Sequence, residues 1–515
     1  MLSARVRSGA TRLLRIGAAV AAVAAAPVAA QPVSTVAGLR AAVAAASDGD
    51  VVELAAGDYT LASSLQIRSG VTLRGAGTGR TTLRAADGWR PAFGGSLDDG
   101  TNFRRLDPSA YLIDLGRGVS DGARIEGMTL TGANLHGAVA GVATDRLAFE
   151  DLEVRDFGWS GIRLFISNDS VFRGNAFHNA GGRAGGPGVK SGPTGGALNL
   201  TYLKTSEIAN NRITRDPGSD NVFGVKGREF RDVDVHHNTI DTNFAIELPF
   251  ENDERVTIRH NFLDGTVSLP KFGGGRENIG PEGSDSAFEI HHNVLTRAYS
   301  IEGTRNNLDV HHNLFSIDPD DDGGNLMSSF GGGFKGVVGG PVSFRDNLID
   351  NPGRGIFWSD EPHDNFEFIR NHVRLDESEP NPFGTGLFGF RVSQDDGEGG
   401  RSETDFSTLT LADNLFEVLG GEDATRELFR NPQSFAARVE NNDFDGITFT
   451  AAPENFDFAA FNPDTGAARG PSGPLVFHAG VGGEYAVDGF SFTLVPEPAA
   501  AALVLAPLLA LRRRR

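Results

Sequence analysis

The 515-residue sequence predicts an all-β fold, a right-handed parallel β-helix, on three observations. First, one phrase recurs ten times between residues 171 and 444: alternating residues with an apolar pair, one or two polar residues, an asparagine, then another apolar pair, as in VFRGNAF, VDVHHNTI, FEIHHNVL and LTLADNLF. Second, the asparagines (Asn175, Asn211, Asn238, Asn261, Asn293, Asn313, Asn347, Asn371, Asn414 and Asn442) are 20 to 43 residues apart, about 30 on average. Repeats of that period belong to solenoids, because one strand–turn–strand unit cannot bury its apolar face without a neighbour stacked on it. Third, a second strand precedes the phrases, as in GIRLF, GALNLTYLK, VFGVKG and FAIELPF. Handedness follows from the strong preference of parallel crossovers for the right-handed path. The recurring asparagine predicts a ladder, each side-chain amide bonding its equivalents one coil above and below.

The elements follow in chain order. Residues 1–30 place Arg5, Arg7, Arg12 and Arg15 ahead of an Ala/Val-rich stretch ending in Val28-Ala29-Ala30, the pattern of a secretory signal peptide. Thr35 to Ser47 has helical apolar spacing and runs into Gly-punctuated strands. This arrangement resembles the N-terminal cap of pectate-lyase-like β-helices, where a helix plugs the open end of the core and protects it from adding foreign strands. The β-helix is expected to span 31–445, with a C-terminal cap and spacer over 446–494 as the phrase fades. The last segment, 495–515, reads Val495-Pro496-Glu497-Pro498, an apolar stretch of about thirteen residues and Arg512 to Arg515. It resembles the PEP-CTERM sorting signal. That resemblance implies brief tethering in the inner membrane, cleavage by an exosortase as processing partner, and release to the surface or medium of an exopolysaccharide-making bacterium. Thirteen residues are short for an ordinary spanning helix.

The chain has no Cys, so no disulfide braces it, and its formal net charge is −20. Loss of the two basic ends would leave it more acidic still, which argues against nucleic acid and anionic membranes as partners. The expectation is a monomer.

Candidate chemistry lies on the strands that precede the phrases. If their aliphatic residues point inward, the residues between them point outward. The outward file is then expected to read Arg163, Asn199, Lys226, Glu247, Ser268, Glu302, with Lys204 and Lys271 at strand ends, stacked at roughly 4.8 Å per rung. Lysine is rare, five residues against 42 arginines, and three of the five fall here.

Most of the chain resembles the pectin-lyase-like superfamily, whose polysaccharide lyases and hydrolases bind a linear polysaccharide in a groove over this strand file. Within it, DNVFGVKG (Asp220 to Gly227) resembles the chondroitinase B/alginate lyase family at the segment presenting a lysine base just after acidic calcium ligands. The resemblance implies Lys226 as base and calcium at Asp220 and Asn221, although Asn221 and Ser219 stand where that family carries acids. β-Elimination needs a cation or metal on the uronate carboxylate and a base at the adjacent proton. Lys226, Glu247 and Glu302 are therefore the expected catalytic residues, and Arg163, Asn199, Arg228 and Lys271 the expected substrate-binding ones. The competing readings are an inverting glycoside hydrolase and a non-catalytic glycan-binding matrix protein. For the first, Glu247 and Glu302 would sit two rungs apart, roughly 9–10 Å, against the 6.5–9.5 Å that inversion uses.

Seven of the twelve histidines sit in the asparagine phrases: His236, His237, His260, His291, His292, His311 and His312. Their place, on a turn away from the groove, reads as a stack of surface turns rather than a zinc or copper site. The Gly-rich stretches 181–196, 272–275 and 330–334 read as loops beside the groove, with no strand–loop–helix context for phosphate.

Overall fold

In the computed structural model the described residues are 31–89, 108–180, 195–216, 223–247, 255–265, 267–271, 287–296 and shorter stretches between 301 and 494 that hold the strands and corners of the later coils. The two segments read as export signals, 1–30 and 495–515, lie outside them, as do residues 181–194, 272–275 and 330–334 of the Gly-rich stretches and the calcium candidates Asp220 and Asn221; Gly196, read as part of a loop, opens the strand Gly196–Ala209.

The chain winds as a parallel β-helix. A 14-stranded sheet takes one strand per coil from Gly57–Leu61 to Asp443–Asp445, with parallel pairing throughout. A 21-stranded sheet collects the other faces, because strands such as Gly196–Ala209 and Phe223–His236 run 14 residues and bend around corners without breaking their ladders. The bends fall at left-handed residues, Tyr202 and Thr205 in one strand, Glu229 and Asp232 in the next. In the later coils the stack of strands that includes Val267–Lys271 continues as a five-stranded sheet from Ile301–Glu302 to Phe429–Arg430.

Alternation explains the core. Of each strand's residues every second one faces inward, and register stacks like on like: Leu73, Ile125, Phe149, Phe172, Ile208 and Val235 form one continuous buried file that runs on to Val439. Where phenylalanines meet they stack, Phe149 on Phe172 at 5.3 Å and Phe344 on Phe368 at 5.5 Å between centroids. Each fully buried side chain of this size contributes about 1.5–3 kcal/mol of transfer free energy.

The helix is Val36–Ala45. Thr35 caps it by accepting from the Gly38 N–H at 3.0 Å, and Leu39 and Val43 enter the core cluster at the first coil. The expected cap is therefore present.

The asparagine ladder is complete. All ten asparagines are buried, none more than 3 % exposed. Each amide nitrogen donates to the next asparagine's Oδ1, at 2.9 Å from Asn175 to Asn211 and 3.2 Å from Asn371 to Asn414. The same Oδ1 accepts the preceding asparagine's backbone N–H, as in Asn261 to Asn293 at 2.9 Å. The second amide hydrogen goes to a strand carbonyl on the preceding coil, Ile258 for Asn293. Donors and acceptors thus balance inside the wall, which removes the penalty of burying them. The residue just before each asparagine is left-handed in all ten coils, from Gly174 at φ 67° through His237 at φ 54° to Asn441 at φ 53°. For a non-glycine residue that conformation costs roughly 1–2 kcal/mol, which the ladder and the coil-to-coil backbone bonds must offset.

A serine file the sequence reading did not anticipate runs along another corner: Leu147 N–H donates to Ser170 Oγ at 3.1 Å, and Ser170 N–H to Ser206 Oγ at 3.0 Å. Beyond residue 445 the strand Asp457–Ala459 still pairs in parallel with Arg438–Glu440, so coil stacking enters the segment read as a cap, whereas Gly483–Val487 and Phe490–Leu494 form an antiparallel hairpin.

Candidate functional site

The expected groove file is present for its first half. Strand register sets Arg163 beside Asn199 and Asn199 beside Lys226. Beyond Lys226 the expectation is corrected: its neighbour on the next coil is Ala245, not Glu247, and Ser268 follows Ala245. Glu247 belongs to the parallel file two residues along, which reads Thr201, Arg228, Glu247, Lys271. The register is irregular between Phe223 and Val225, and past that point Phe244, not Ile246, stands opposite Val225. Both Phe244 and Ile246 face the core, so inward–outward alternation cannot tell the two alignments apart. Glu302 lies on Ile301–Glu302, the strand that follows Val267–Lys271 in the stack, and on its other side it pairs with Ser328; no residue-by-residue register joins it to Glu247 among the described residues.

Burial divides the file. Arg163 is only 2 % exposed, with its guanidinium carbon 4.3 Å from the centroid of the Trp159 ring, a cation–π contact that holds it against the wall. Asn199 is 5 % exposed. Lys226 and Arg228 are half-buried, and Lys226 Nζ lies 5.2 Å from the Phe223 ring centroid. Solvent therefore reaches Lys226 and Arg228, whereas Asn199 and Arg163, one and two rungs before Lys226, are nearly covered. The arrangement offers a lysine and an arginine on one strand with an amide one rung away, a set suited to a carboxylate.

Sequence reasoning missed the residues ahead of Arg163. The same file extends back through Ala140 to Asp114 and Gln66. Burial pushes the Asp114 carboxyl up, against the lowering effect of the Gly116 N–H it accepts at 2.7 Å. The alternation in YLIDLG, Asp114 between buried Ile113 and Leu115, was the signal available. Beside it Tyr111, His136 and Trp159 are buried, with the His136 and Trp159 ring centroids 6.3 Å apart.

The histidine corner is more ordered than a row of surface turns. His236 and His237 are buried and the other five half-buried. His237, His260, His292 and His312 occupy the left-handed position of four successive coils. His236, His291 and His311 occupy the strand-end position before it, with Arg259 between them. Within each adjacent pair the two Nδ1 atoms are 2.8–2.9 Å apart, so one ring donates to the other. Between coils the rings stack: His291 on His311 at 5.0 Å and His292 on His312 at 5.1 Å. Burial, reinforced by the charge of His311, pushes His291 down to about 4, and burial lowers His312 as well. One ring nitrogen each of His260, His291 and His292 lie within 4.8 Å of one another.

Residues 115–315 match the family model described as a right handed beta helix region. Together with the parallel coils and the ladder, that match defines the chain as a right-handed parallel β-helix protein. No curated protein sequence matches it. Among solved structures it is similar to the catalytic domain of a GH87 alpha-1,3-glucanase, at 12% identity and TM-score 0.38 over 80% of this chain and 64% of that one. It is also similar to a PL6-family polysaccharide lyase from Pseudopedobacter saltans, at 13% identity and TM-score 0.38 over 87% and 97%. A third is a surface adhesin of Streptococcus pneumoniae, at 12% identity and TM-score 0.39 over 82% and 94%. The chain spans about 64% of the length of the glucanase domain.

Proposed function

We propose that the mature chain is an exported protein that cleaves a uronate-bearing polysaccharide by β-elimination, with Lys226 as the base. The observation that supports this reading is the concentration of cations on one face of an acidic chain. Lys226 and Arg228 stand on one strand, Asn199 beside Lys226, and Lys271 two rungs from Arg228 in its own file, on a protein of net charge −20. A polyuronate is repelled by the net charge of such a protein and is favoured where cations cluster, although Glu247 stands between Arg228 and Lys271 in their file.

In the proposed step, Arg228 and the amide of Asn199 hold the uronate carboxylate, which acidifies the adjacent carbon. Lys226, unprotonated at that moment, takes the proton. The electron pair forms a carbon–carbon double bond, and the glycosidic C–O bond at the next carbon breaks, its oxygen leaving with a proton from solvent. Calcium held by Asp220 and Asn221, which lie outside the described residues, would add a cation to the uronate carboxylate and further acidify the adjacent carbon. The hydrolase alternative would use Glu247 and Glu302 on either side of the glycosidic bond and would give no unsaturated product.

The test is incubation of the mature protein with a panel of polyuronates, following the ultraviolet absorbance of the unsaturated product. Lys226→Ala should lower turnover by about 10²–10⁴-fold, the usual worth of general-base catalysis. Full activity in that variant would remove Lys226 from the mechanism, and saturable glycan binding without any product would leave a binding protein. Chelator should abolish activity and added calcium, not zinc, should restore it. Export is read from the intact mass of native protein: the mature form should lack residues 1–30 and end near Pro498, and retention of Arg512 to Arg515 would rule out the sorting reading.

A further inference from the structure

We infer that the histidine corner binds one divalent transition-metal ion, through one ring nitrogen each of His260, His291 and His292. This site lies in the asparagine wall, on a different strand file from Lys226, and does not depend on the proposed activity.

The geometry supplies three arguments. The first is convergence. Tetrahedral zinc at about 2.0–2.1 Å from imidazole nitrogen sets its ligand atoms roughly 3.3 Å apart. The three nitrogens already lie within 4.8 Å, and two Nδ1 atoms of the set, those of His291 and His292, are 2.8 Å apart. Rotation of rings about their side-chain bonds closes that difference without moving the backbone.

The second is preorganisation. His260 and His292 project from left-handed corners that are fixed on adjacent coils by the amide bond from Asn261 to Asn293 at 2.9 Å. The third is donor chemistry. The set is imidazole only, each neutral ring keeping one lone pair, and imidazoles select zinc, copper(II) and nickel(II) over calcium or magnesium. Because all three rings are half-buried, water can complete the coordination.

Binding displaces the proton shared between His291 and His292 to the ring nitrogens that face away from the ion or to solvent. It also joins two coils whose ligands are about 31 residues apart in sequence. A ligand that binds only the folded chain stabilises it in proportion to its concentration over Kd.

The experiment uses untagged mature protein stripped with chelator and titrated with zinc chloride by calorimetry, with cobalt(II) as a spectroscopic probe. The expected result is one ion per chain, visible d–d bands of four-coordinate cobalt, and a higher thermal midpoint with zinc. His260→Asn/His292→Asn should weaken binding by more than the roughly 10–100-fold that even an outer-shell partner of a metal is worth. Asparagine is the natural residue at the same left-handed corner in Asn210 and Asn441, so the variant should fold, and an unchanged circular dichroism spectrum checks that it does. His291→Ala is the second variant, since Ala209 and Ala412 occupy that file in other coils. His237→Asn, which removes a stacked ring outside the three, should bind as the parent does. Absence of saturable binding in the parent, parent-like binding in either ligand variant, or equal loss in His237→Asn would overturn the assignment.

Discussion

The asparagine wall and the Lys226 face are built from the same coils, yet they obey different rules. In the wall, each of ten positions repeats one local conformation, one amide pattern and one buried environment. On the face, one file passes from Arg163 through Asn199 and Lys226 to Ala245, so the side chain changes character at every rung. The wall is a repeated solution to burying backbone polar groups. The face has no such constraint, and its residues are free to serve recognition.

The sharpest way to break this comparison is to damage the wall. Asn293→Leu removes the acceptor of the Asn261 backbone and side-chain N–H groups, both at 2.9 Å, and the donor to the Ile258 carbonyl at 2.8 Å. The folded state should lose roughly 1–3 kcal/mol for buried groups left unsatisfied, read as a lower midpoint in urea. An unchanged midpoint would mean that the ladder decorates the wall without holding it.

A second, smaller effect concerns acid. Burial lowers His372 below the ordinary histidine value, outweighing the Glu417 carboxylate 3.0 Å away. A group whose folded value is lowered keeps its full contribution above the unfolded value near 6.5 and loses stability as pH falls from there through the folded value. His372→Leu places leucine between Leu348 and Leu415, its file neighbours. The variant should show a shallower loss of midpoint below about pH 6.5; an identical pH profile would exclude His372 from acid unfolding.

The smallest effect is expected on the other face. Lys226→Ala should shift stability by no more than about 0.5 kcal/mol, as for most half-exposed substitutions away from structural features, even as it removes turnover. A large loss of midpoint would make Lys226 part of the scaffold and weaken the separation of wall from face.

The same contrast explains what the sequence disclosed. The β-helix, the ladder and the helix after Thr35 were legible because each depends on local pattern: a phrase, a period, a run of helical apolar spacing. The place of Glu247 was not, because a slip of two residues leaves every inward position apolar, Phe244 and Ile246 alike, and alternation constrains only odd slips. Asp114 hid in an irregular early coil, before the phrases begin. The histidines were visible as a run, but which rings converge depends on the left-handed corners, which no residue-type pattern marks when Gly, Asn, His, Asp and Arg all occupy them.

The ladder has one further consequence, for how such a chain can change over generations. Its amide bonds keep nearly the same length, 3.0 Å between Asn293 and Asn313 and 3.2 Å between Asn371 and Asn414, although 20 residues separate the first pair and 43 the second. The wall is blind to how much chain leaves one coil before returning to the next. Insertions and deletions between coils can therefore accumulate at little cost to folding, so a lineage can redraw the surface it presents while inheriting its scaffold unaltered.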